Sequence, residues 1–326
     1  MNKVLFIAPK FFGYWSKIKD EIETRGCEVF YINQSLSTKN FCMRIIDRYG
    51  YDRIRSRQNY SYYYAQVKKL PIDIRFVFVI KGDSLNPKIM KMLHERYKQA
   101  TFVMYQWDSV SNSPNVVDIA SYFDKIYSFD RNDAEKYSWE YRPLFFDIKD
   151  CLKVEKKYDI SYICTLKFKR ADIYKQIKKI SIEKGLCLFH YLYIDLKTYI
   201  KRVLFNRDKI YLTTPIKDVR FNPLSLDDTA NIYNKSKIIV DYTTPTQNGL
   251  SMRTIECLGH NCKIITNNKN IIFEKFYSPQ NVILYDDVIE IPDSFINSEY
   301  EAVEEKILYY YSLQGWVDTI LGGNTL

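Results

Sequence analysis

Long hydrophobic stretches are missing from this 326-residue sequence, because no apolar run approaches the roughly 18 residues that a helix needs to span a bilayer. The short apolar start, residues 4–8, is followed by Lys10, Phe11 and Phe12, where a signal peptide would carry small residues before its cleavage site. We therefore expect residues 4–8 to form a buried strand and the protein to be cytoplasmic.

Signatures of disulfide frameworks and zinc sites are also missing. The seven cysteines are odd in number and include no C-x-x-C pair, and the three histidines include no H-x-x-x-H pair. We therefore expect neither structural disulfides nor a zinc site, and interpret these side chains as ordinary ones. They are Cys27, Cys42, Cys151, Cys164, Cys187, Cys257, Cys262, His94, His190 and His260.

The composition is that of a globular protein, with 46% hydrophobic and 27% charged residues. The length allows two α/β domains of ordinary size, each with its own core. The formal charge of +9 favours polyanionic partners such as nucleotide diphosphates, anionic lipid head groups or nucleic acid, and does not choose among them.

Short apolar runs rich in β-branched and aromatic residues alternate with polar, helix-compatible segments, as in a doubly wound parallel sheet. In the first half the predicted strands are residues 4–8, 28–32, 74–80, 101–107 and 125–129, and the predicted helices are 15–25, 87–98 and 132–139. After a charged segment at 147–157 the predicted strands are 159–164, 186–191, 237–242 and 263–266, and the predicted helices are 170–184, 225–235 and 250–259.

The predicted fold class is therefore α/β, with two Rossmann-like doubly wound parallel-sheet domains facing a cleft. We expect the first domain at residues 1–150 and the second at 151–300. The last segment, 301–326, has a pattern compatible with one long helix, which we expect to pack back toward the first domain.

The segment from Phe41 to Leu70 departs from the alternation of predicted strands and helices. It carries seven basic residues against two acidic ones, with tyrosines interleaved. A basic, aromatic helix can lie on an anionic membrane surface, or it can pack its tyrosines on the sheet as a solvated helix of the first domain. The sequence leaves both interpretations open. The basic residues are Arg44, Arg48, Arg53, Arg55, Arg57, Lys68 and Lys69.

The most informative pattern lies between Tyr242 and Glu256. A strand leads into a loop with Asn248 and Gly249, and a predicted helix begins at Leu250. A helix that begins just beyond a strand directs free N–H groups and the positive end of its dipole to one spot, which suits a diphosphate. Asn248 and Gly249 permit a close backbone approach.

Charged side chains follow on the same predicted helix. Arg253, in its first turn, can add a bidentate phosphate contact, and Glu256 lies one turn further on. Residues three apart on a helix can also form a surface ion pair. The strand–loop–helix–strand context favours ligand binding over that alternative.

This stretch resembles the donor site of GT-B-fold glycosyltransferases, in which a small-residue loop leads into a helix bearing a ribose-binding glutamate, and a glycine follows the helix. The resemblance gives Glu256 the ribose role, Gly249 the loop role and Gly259 the place after the helix. Some members of the family carry a second acidic residue several positions before the glutamate. This chain has Gln247 or Asn248 near that position instead.

Two further stretches resemble the branch that includes spore-maturation-protein-like glycosyltransferases and related capsule or lipopolysaccharide enzymes. One runs from residues 76–82 to 104–108. The other, residues 158–166 followed by Arg170, is similar to the start of the family's second domain, where an arginine faces the diphosphate. Cys164 stands at the usual glycine position.

The resemblance, over roughly residues 70 to 270, implies transfer of a sugar from a nucleotide-diphosphate sugar to a glycan or lipid-linked acceptor in surface polysaccharide biosynthesis. It places the acceptor on the first domain and the donor on the second, and leaves open a peripheral position on the inner face of the membrane. No D-x-D stretch offers a metal–diphosphate clamp, so we predict metal independence, with no cofactor beyond the donor substrate. The predicted donor-binding residues are Thr165, Arg170, Tyr242, Asn248, Gly249, Leu250, Ser251, Arg253 and Glu256.

Catalysis would be substitution at an anomeric carbon with the nucleotide diphosphate leaving. Arg170 and Arg253 are expected to stabilise the charge on that leaving group. An inverting enzyme also needs a base, for which Asp108 is the first candidate and Asp83 the second, since ligands bind at the carboxyl ends of parallel strands. Taken alone, each aspartate fits the role of a helix cap or loop carboxylate better than that of a base.

Three other functions stay open. A nucleotide-sugar epimerase of the same architecture would convert donor without an acceptor, and a nucleotide- or sugar-binding protein would have no catalysis. Nucleic-acid binding through the basic segment has no helix-turn-helix, zinc-finger or RNP-like signature to support it, so nucleic acid is not an expected partner.

Overall fold

The computed structural model describes residues 2–10, 13–34, 52–147, 154–167, 169–206, 208–245 and 247–322. The chain forms two compact units. The first comprises residues 1–144 and 313–326, and the second comprises residues 145–312.

The first unit contains a parallel sheet of six strands in the order β2-β1-β3-β4-β5-β6. Its strands are β1 (Lys3–Ala8), β2 (Glu28–Asn33), β3 (Phe76–Ile80), β4 (Thr101–Gln106), β5 (Lys125–Ser128) and β6 (Glu140–Tyr141). Its helices are α1 (Tyr14–Glu23), α2 (Asp52–Val67), α3 (Pro87–Arg96) and α4 (Arg131–Tyr137), with a 3-10 helix at Pro114–Tyr122.

The central strands of this sheet are buried on both faces, which explains their nearly continuous apolar sequences. β1 and β3 pair in register from Val4 with Phe76 to Ile7 with Val79. All five residues of β3 are buried. The carboxyl ends of β1, β3 and β4 therefore meet at one edge of the sheet.

The second unit contains another parallel sheet of six strands, in the order β12-β11-β10-β7-β8-β9. Its strands are β7 (Tyr158–Thr165), β8 (Leu188–Tyr193), β9 (Val219–Arg220), β10 (Ser236–Asp241), β11 (Lys263–Thr266) and β12 (Val282–Leu284). Its helices are α5 (Arg170–Glu183), α6 (Leu196–Leu204), α7 (Lys209–Thr213), α8 (Leu226–Asn234), α9 (Met252–Gly259), α10 (Asp293–Asn297) and α11 (Glu305–Tyr311), with 3-10 helices at Ile216–Asp218 and Lys269–Phe273.

The C-terminal segment forms two helices, where the sequence predicts one long helix. α11 ends before Ser312, whose backbone adopts an extended conformation, and α12 (Leu313–Leu321) follows. α12 belongs to the first unit, because its buried Trp316 packs against Phe78 and Tyr105.

The fold class is confirmed: both units are parallel, doubly wound and Rossmann-like. Of the segment from Phe41 to Leu70, residues 41–51 lie outside the described part. The remainder contains α2, in which Tyr63 and Val67 are buried against the sheet while Tyr64 is half exposed. The part of α2 that the structure describes therefore packs on the first sheet.

No helix within the described residues has the length and apolar character to cross a membrane.

Candidate functional site

The start of α9 lies just beyond the carboxyl end of β10. Ser251 caps the helix, accepting the Thr254 N–H on its hydroxyl at 3.3 Å. The first N–H groups of a helix have no carbonyl partner within it, so those of Met252 and Arg253 are directed out of the helix end. Leu250, predicted as the first helical residue, precedes this cap and is buried.

A buried carboxylate, Asp241, organises this end of the sheet. Asp241 is the last residue of β10 and is fully buried. Its Oδ2 accepts hydrogen bonds from the hydroxyls of Ser251 at 3.0 Å and of Thr243 and Thr254 at 3.2 Å each. The carboxylate thus ties the strand, the loop and the first turn of α9 together.

Arg253 is the ion partner of this carboxylate. Its Nη1 donates to Asp241 Oδ1, and its side chain remains 21% exposed. Burial lowers the pKa of Arg253, and the charge of Asp241 more than reverses that effect, so that the net shift is upward. A guanidinium has five N–H donors in a planar fork. With one nitrogen fixed on Asp241, the fork is held in one orientation at the helix start.

The loop before α9 is held by asparagines that follow β11. Asn268 Nδ2 donates to the carbonyls of Asn248 and Gly249 at 3.2 Å each, and Asn270 Nδ2 donates to Asn248 at 2.8 Å. Gln247 Nε2 donates to the Gly249 carbonyl at 3.1 Å. The carbonyls are therefore fixed by side chains, which stiffens the loop that the sequence predicts to approach a phosphate.

Arg170 lies just beyond the carboxyl end of β7, the strand next to β10. It is the first residue of α5, and its Nη1 donates to the carbonyl of Thr165, the last residue of β7, at 3.1 Å. Burial raises the pKa of Tyr285, and the charges of Arg253 and Arg170 both oppose that rise, which shows that the two cations lie near the same hydroxyl. Since β7 and β10 are adjacent, the two predicted arginines are gathered at one edge of the sheet.

A cavity of about 270 Å³ opens at this edge. The buried residues Tyr242 and Tyr285 line it, and Lys169 and Asp287 form an ion pair of 2.7 Å in its wall. The Tyr285 hydroxyl donates to the Asp241 carbonyl at 2.9 Å. Tyr285 thus connects the cavity wall to the backbone of Asp241.

Glu256 lies one turn along α9 from the helix start and is half-buried. Burial raises the pKa of the nearby Tyr233 hydroxyl, the charge of Arg253 lowers it and that of Glu256 raises it. The resemblance gives Gly259 the place after the helix, which is wrong: Gly259 is the last helical residue, and His260 is the cap. The left-handed residue is Asn261, with φ of 51°, a conformation that asparagine tolerates.

The two candidate bases lie in the first unit, beyond β3 and β4. Lys81 Nζ lies 3.3 Å from Asp83 and 3.4 Å from Asp108. Burial lowers the pKa of Lys81, and the charges of the two aspartates outweigh this effect and raise it. Asp108 Oδ1 also accepts the Ser109 N–H at 3.0 Å and Asn112 Nδ2 at 2.8 Å. The two carboxylates are therefore neighbours, bridged by one ammonium group.

The backbone at this point is unusual. Lys81 and Gly82 have φ of 72° and 71°, in the left-handed region. The turn directs Lys81 toward the aspartates, while Gln34 accepts the Gly82 N–H at 3.3 Å and donates to Asp83. Beside it lies a polar cavity of about 430 Å³ lined by hydroxyl, amide and carboxylate groups. The lining includes Arg55, Ser56, Asn59, Asp83, Ser84, Asn86, Asn112, Ser113, Asn115 and Asp118.

Comparisons with known proteins support the fold. No protein-family model and no curated protein sequence matches the chain. A sucrose-phosphate synthase structure from Thermosynechococcus elongatus matches with a TM-score of 0.53 and 9% identity, over 98% of this chain and 95% of that one.

Two other solved structures match with a TM-score of 0.50. One is an α-glucosyltransferase in complex with UDP and a 13-mer DNA, 12% identical over 86% of this chain and 81% of that one. The other is HepE of Anabaena in complex with UDP and glucose, 10% identical over 98% of this chain and 95% of that one. The chain therefore has a GT-B-like fold of two Rossmann-like domains.

Sequence reasoning missed three contributors to these sites: Asp241, Asn268 and Lys81. The signal for Asp241 was its place as the last residue of a buried strand, where a carboxylate needs a partner. The signal for Asn268 was the pair Asn267-Asn268 directly after β11, because asparagine side chains often form hydrogen bonds with the backbone of a loop. Lys81 lies within residues 76–82, where the resemblance gives it no role.

Proposed function

We propose that this protein is a glycosyltransferase that takes its sugar from a nucleotide-diphosphate sugar bound at the carboxyl edge of the second sheet. The observation that carries the proposal is the gathering of Arg170, Arg253 and the start of α9 at one edge. Two oriented guanidinium groups and free helix N–H groups are what a diphosphate requires.

In this proposal the N–H groups of Met252 and Arg253 bind one phosphate. Asp241 orients the guanidinium of Arg253, and Thr165 orients that of Arg170. Both guanidiniums then stabilise the charge that develops on the leaving diphosphate. Pre-organisation matters here because the groups need no rearrangement when the charge forms.

Glu256 is proposed to accept hydrogen bonds from the ribose hydroxyls. Its support is the family resemblance together with its place one turn from the phosphate-binding helix start. Asn248, Gly249, Leu250 and Ser251 would shape the loop around the donor. Tyr242 would contact the donor from the cavity wall.

The first unit is proposed to bind the acceptor. Its polar cavity offers hydroxyls, amides and carboxylates, which suit the hydroxyl groups of a glycan. Asp108 is proposed as the base that takes the proton of the acceptor hydroxyl, with Asp83 as the second candidate. Lys81 places one positive charge within 3.4 Å of both carboxylates, which holds the two candidate bases side by side.

The proposed biological setting is the synthesis of a surface polysaccharide, such as a capsule or lipopolysaccharide, on a glycan or lipid-linked acceptor at the inner face of a membrane. Support comes from the resemblance to the spore-maturation-protein-like, capsule and lipopolysaccharide branch. Two of the similar solved structures contain UDP, so UDP sugars are the first donors to test.

A thermal-shift screen of nucleoside diphosphates and nucleotide sugars tests the donor site. A ligand at a hundred times its Kd stabilises the folded state by about 2.7 kcal/mol, which raises the midpoint of a unit of this size by roughly 5–10 °C. Adding EDTA should leave the shift unchanged if binding is metal-independent. No shift with any nucleotide would contradict the proposal.

Incubation with the stabilising donor alone separates transfer from epimerisation. A transferase should leave the sugar configuration unchanged and release nucleotide only slowly, by transfer to water. Conversion of the sugar to its epimer without acceptor would identify an epimerase instead.

A further inference from the structure

Exposed apolar side chains are concentrated on α6, α7 and the segment that follows. Six of the fifteen large hydrophobic residues that are exposed in the described chain lie within residues 196–216. Single exposed hydrophobic residues are ordinary, whereas a concentration of them indicates an interaction site. The exposed fractions are 51% for Leu196, 43% for Ile200, 65% for Leu204, 79% for Phe205, 56% for Leu212 and 64% for Ile216.

The pattern on α6 explains this exposure. Tyr199 and Val203 pack against the core of the second unit. Leu196, Ile200 and Leu204 recur every four residues and form a separate ridge that the core does not cover. The helix is therefore apolar over a wider arc than its own fold requires, and none of its residues is fully buried.

The sequence of this region is rich in basic residues. Residues 195–220 contain seven basic residues and three aspartates. The aspartates already have roles: Asp195 caps α6, Asp208 pairs with Arg202 at 3.1 Å, and Asp218 pairs with Lys178 at 2.8 Å. The basic residues are Lys197, Lys201, Arg202, Arg207, Lys209, Lys217 and Arg220.

Two of these cations lie directly beside the ridge. Lys197 precedes Ile200 by three positions and Lys201 precedes Leu204 by three, a spacing that makes each lysine a neighbour of the ridge on the surface of α6. An apolar ridge flanked by lysines is the arrangement of helices that lie in the plane of a membrane interface.

We propose that this α6–α7 surface, residues 196–206 and 208–216, docks the protein on an anionic phospholipid bilayer. The aliphatic and aromatic side chains enter the acyl boundary, and the lysines contact the lipid phosphates. Charge complementarity favours this occupant over a second copy of the chain, because the same basic surface repels itself across a two-fold axis. A nucleic acid would be bound through stacked rings, and five of the six exposed residues are aliphatic.

The surface is connected to the candidate donor edge. The Tyr211 hydroxyl of α7 donates to the carbonyl of Leu166 at 2.9 Å, in the loop between Thr165 and Arg170. Docking would therefore hold this edge near the bilayer. The docking proposal goes beyond the proposed enzymatic function and does not require it.

The experiment is co-sedimentation of the full chain with phosphatidylcholine vesicles, with and without phosphatidylglycerol. We expect binding only when phosphatidylglycerol is present, and weaker binding as salt is raised. Lys197→Gln with Lys201→Gln should lower the partition coefficient roughly fivefold for each lysine removed. Leu204→Gln with Phe205→Gln should lower it roughly tenfold or more.

Matched controls separate this surface from other sources of binding. Ile182→Gln changes an equally exposed apolar residue, 73% exposed on α5, and should leave binding unchanged. All variants alter exposed side chains, so circular dichroism and the thermal midpoint should match those of the wild type. Absence of vesicle binding would overturn the proposal. So would binding that survives both double variants but is lost in Lys68→Gln with Lys69→Gln.

Discussion

Asp241→Asn is the substitution whose effect the structure defines best. The carboxylate is fully buried, pairs with Arg253 and accepts three hydroxyl hydrogen bonds from Thr243, Ser251 and Thr254. The amide keeps the shape but removes the charge, and its NH₂ group faces donors. Arg253 is then left at a partly buried position without its counter-ion.

The expected decrease in stability follows from the loss of the counter-ion of Arg253. Removing one partner of a buried ion pair destabilises a protein by about 3–5 kcal/mol. For a unit of this size each kcal/mol lowers the midpoint by about 2–4 °C, so the transition of the second unit should fall by roughly 6–20 °C. Differential scanning calorimetry measures this shift in the unfolding midpoint.

Asp286→Asn is the matched control. Asp286 also pairs with a cation, Lys269 at 2.9 Å, but its side chain is 77% exposed. Exposed pairs contribute about 0–1 kcal/mol, so this variant should melt within a few degrees of the wild type. Equal, small effects of the two substitutions would refute the role assigned to Asp241.

Three further predictions concern other parts of the molecule. Burial, with a smaller contribution from Lys156, lowers the pKa of His260 from 6.5 to about 4, so the unfolded chain binds a proton there that the folded chain does not. As the pH falls from 6.5 to 4, the free energy of unfolding should therefore decrease by up to about 3 kcal/mol. In His260→Gln, urea titrations at the same pH values should show a free energy of unfolding without that decrease. Gly82→Ala should lower the free energy of unfolding by about 1–2 kcal/mol because of its left-handed φ, and by more because its Cβ would lie 3.2 Å from Met104 Sδ. Gly185→Ala has a similar φ of 65° but open space around its Cβ, so it should lower the free energy of unfolding by less. Equal losses for the two variants in urea denaturation would contradict this. Asp108→Asn should lower the rate of sugar transfer about 10²–10⁴-fold and leave nucleotide affinity unchanged, and a fully active variant would exclude it as the base.

Most of the strands could be predicted because their apolar runs are buried on both faces of a sheet. β11 begins and ends at the predicted residues, and β7 and β10 differ from the prediction by one residue at each end. Ser225 was recognisable as the cap of α8 from the carboxylates that follow it.

The segment between β8 and α8 could not be predicted in the same way. α6 and α7 are short, and the apolar residues of α6 serve two purposes, core packing and the exposed ridge. A single hydrophobic period therefore does not identify the face that packs. β9 has two residues, fewer than any pattern can identify.

The candidate site was predictable in its local parts and not in its long-range ones. Ser251 and Arg253 follow from a helix start after a strand, and Glu256 follows from the family resemblance. Arg253 pairs with Asp241, twelve residues earlier, because the intervening loop brings the start of α9 back to the end of β10. The local sequence does not show the path of that loop. The support of Asn248 by Asn268 depends on strand order.

Isothermal titration of nucleoside diphosphates into the wild type, Glu256→Ala and Glu183→Ala tests the donor site most directly. Glu183 is an exposed control at the end of α5, with a side chain 59% exposed. The proposal predicts one nucleotide per chain, an affinity that Glu256→Ala lowers roughly tenfold through lost ribose hydrogen bonds, and no change in Glu183→Ala. No heat of binding with any nucleoside diphosphate, or equal affinity in Glu256→Ala and the wild type, would contradict it.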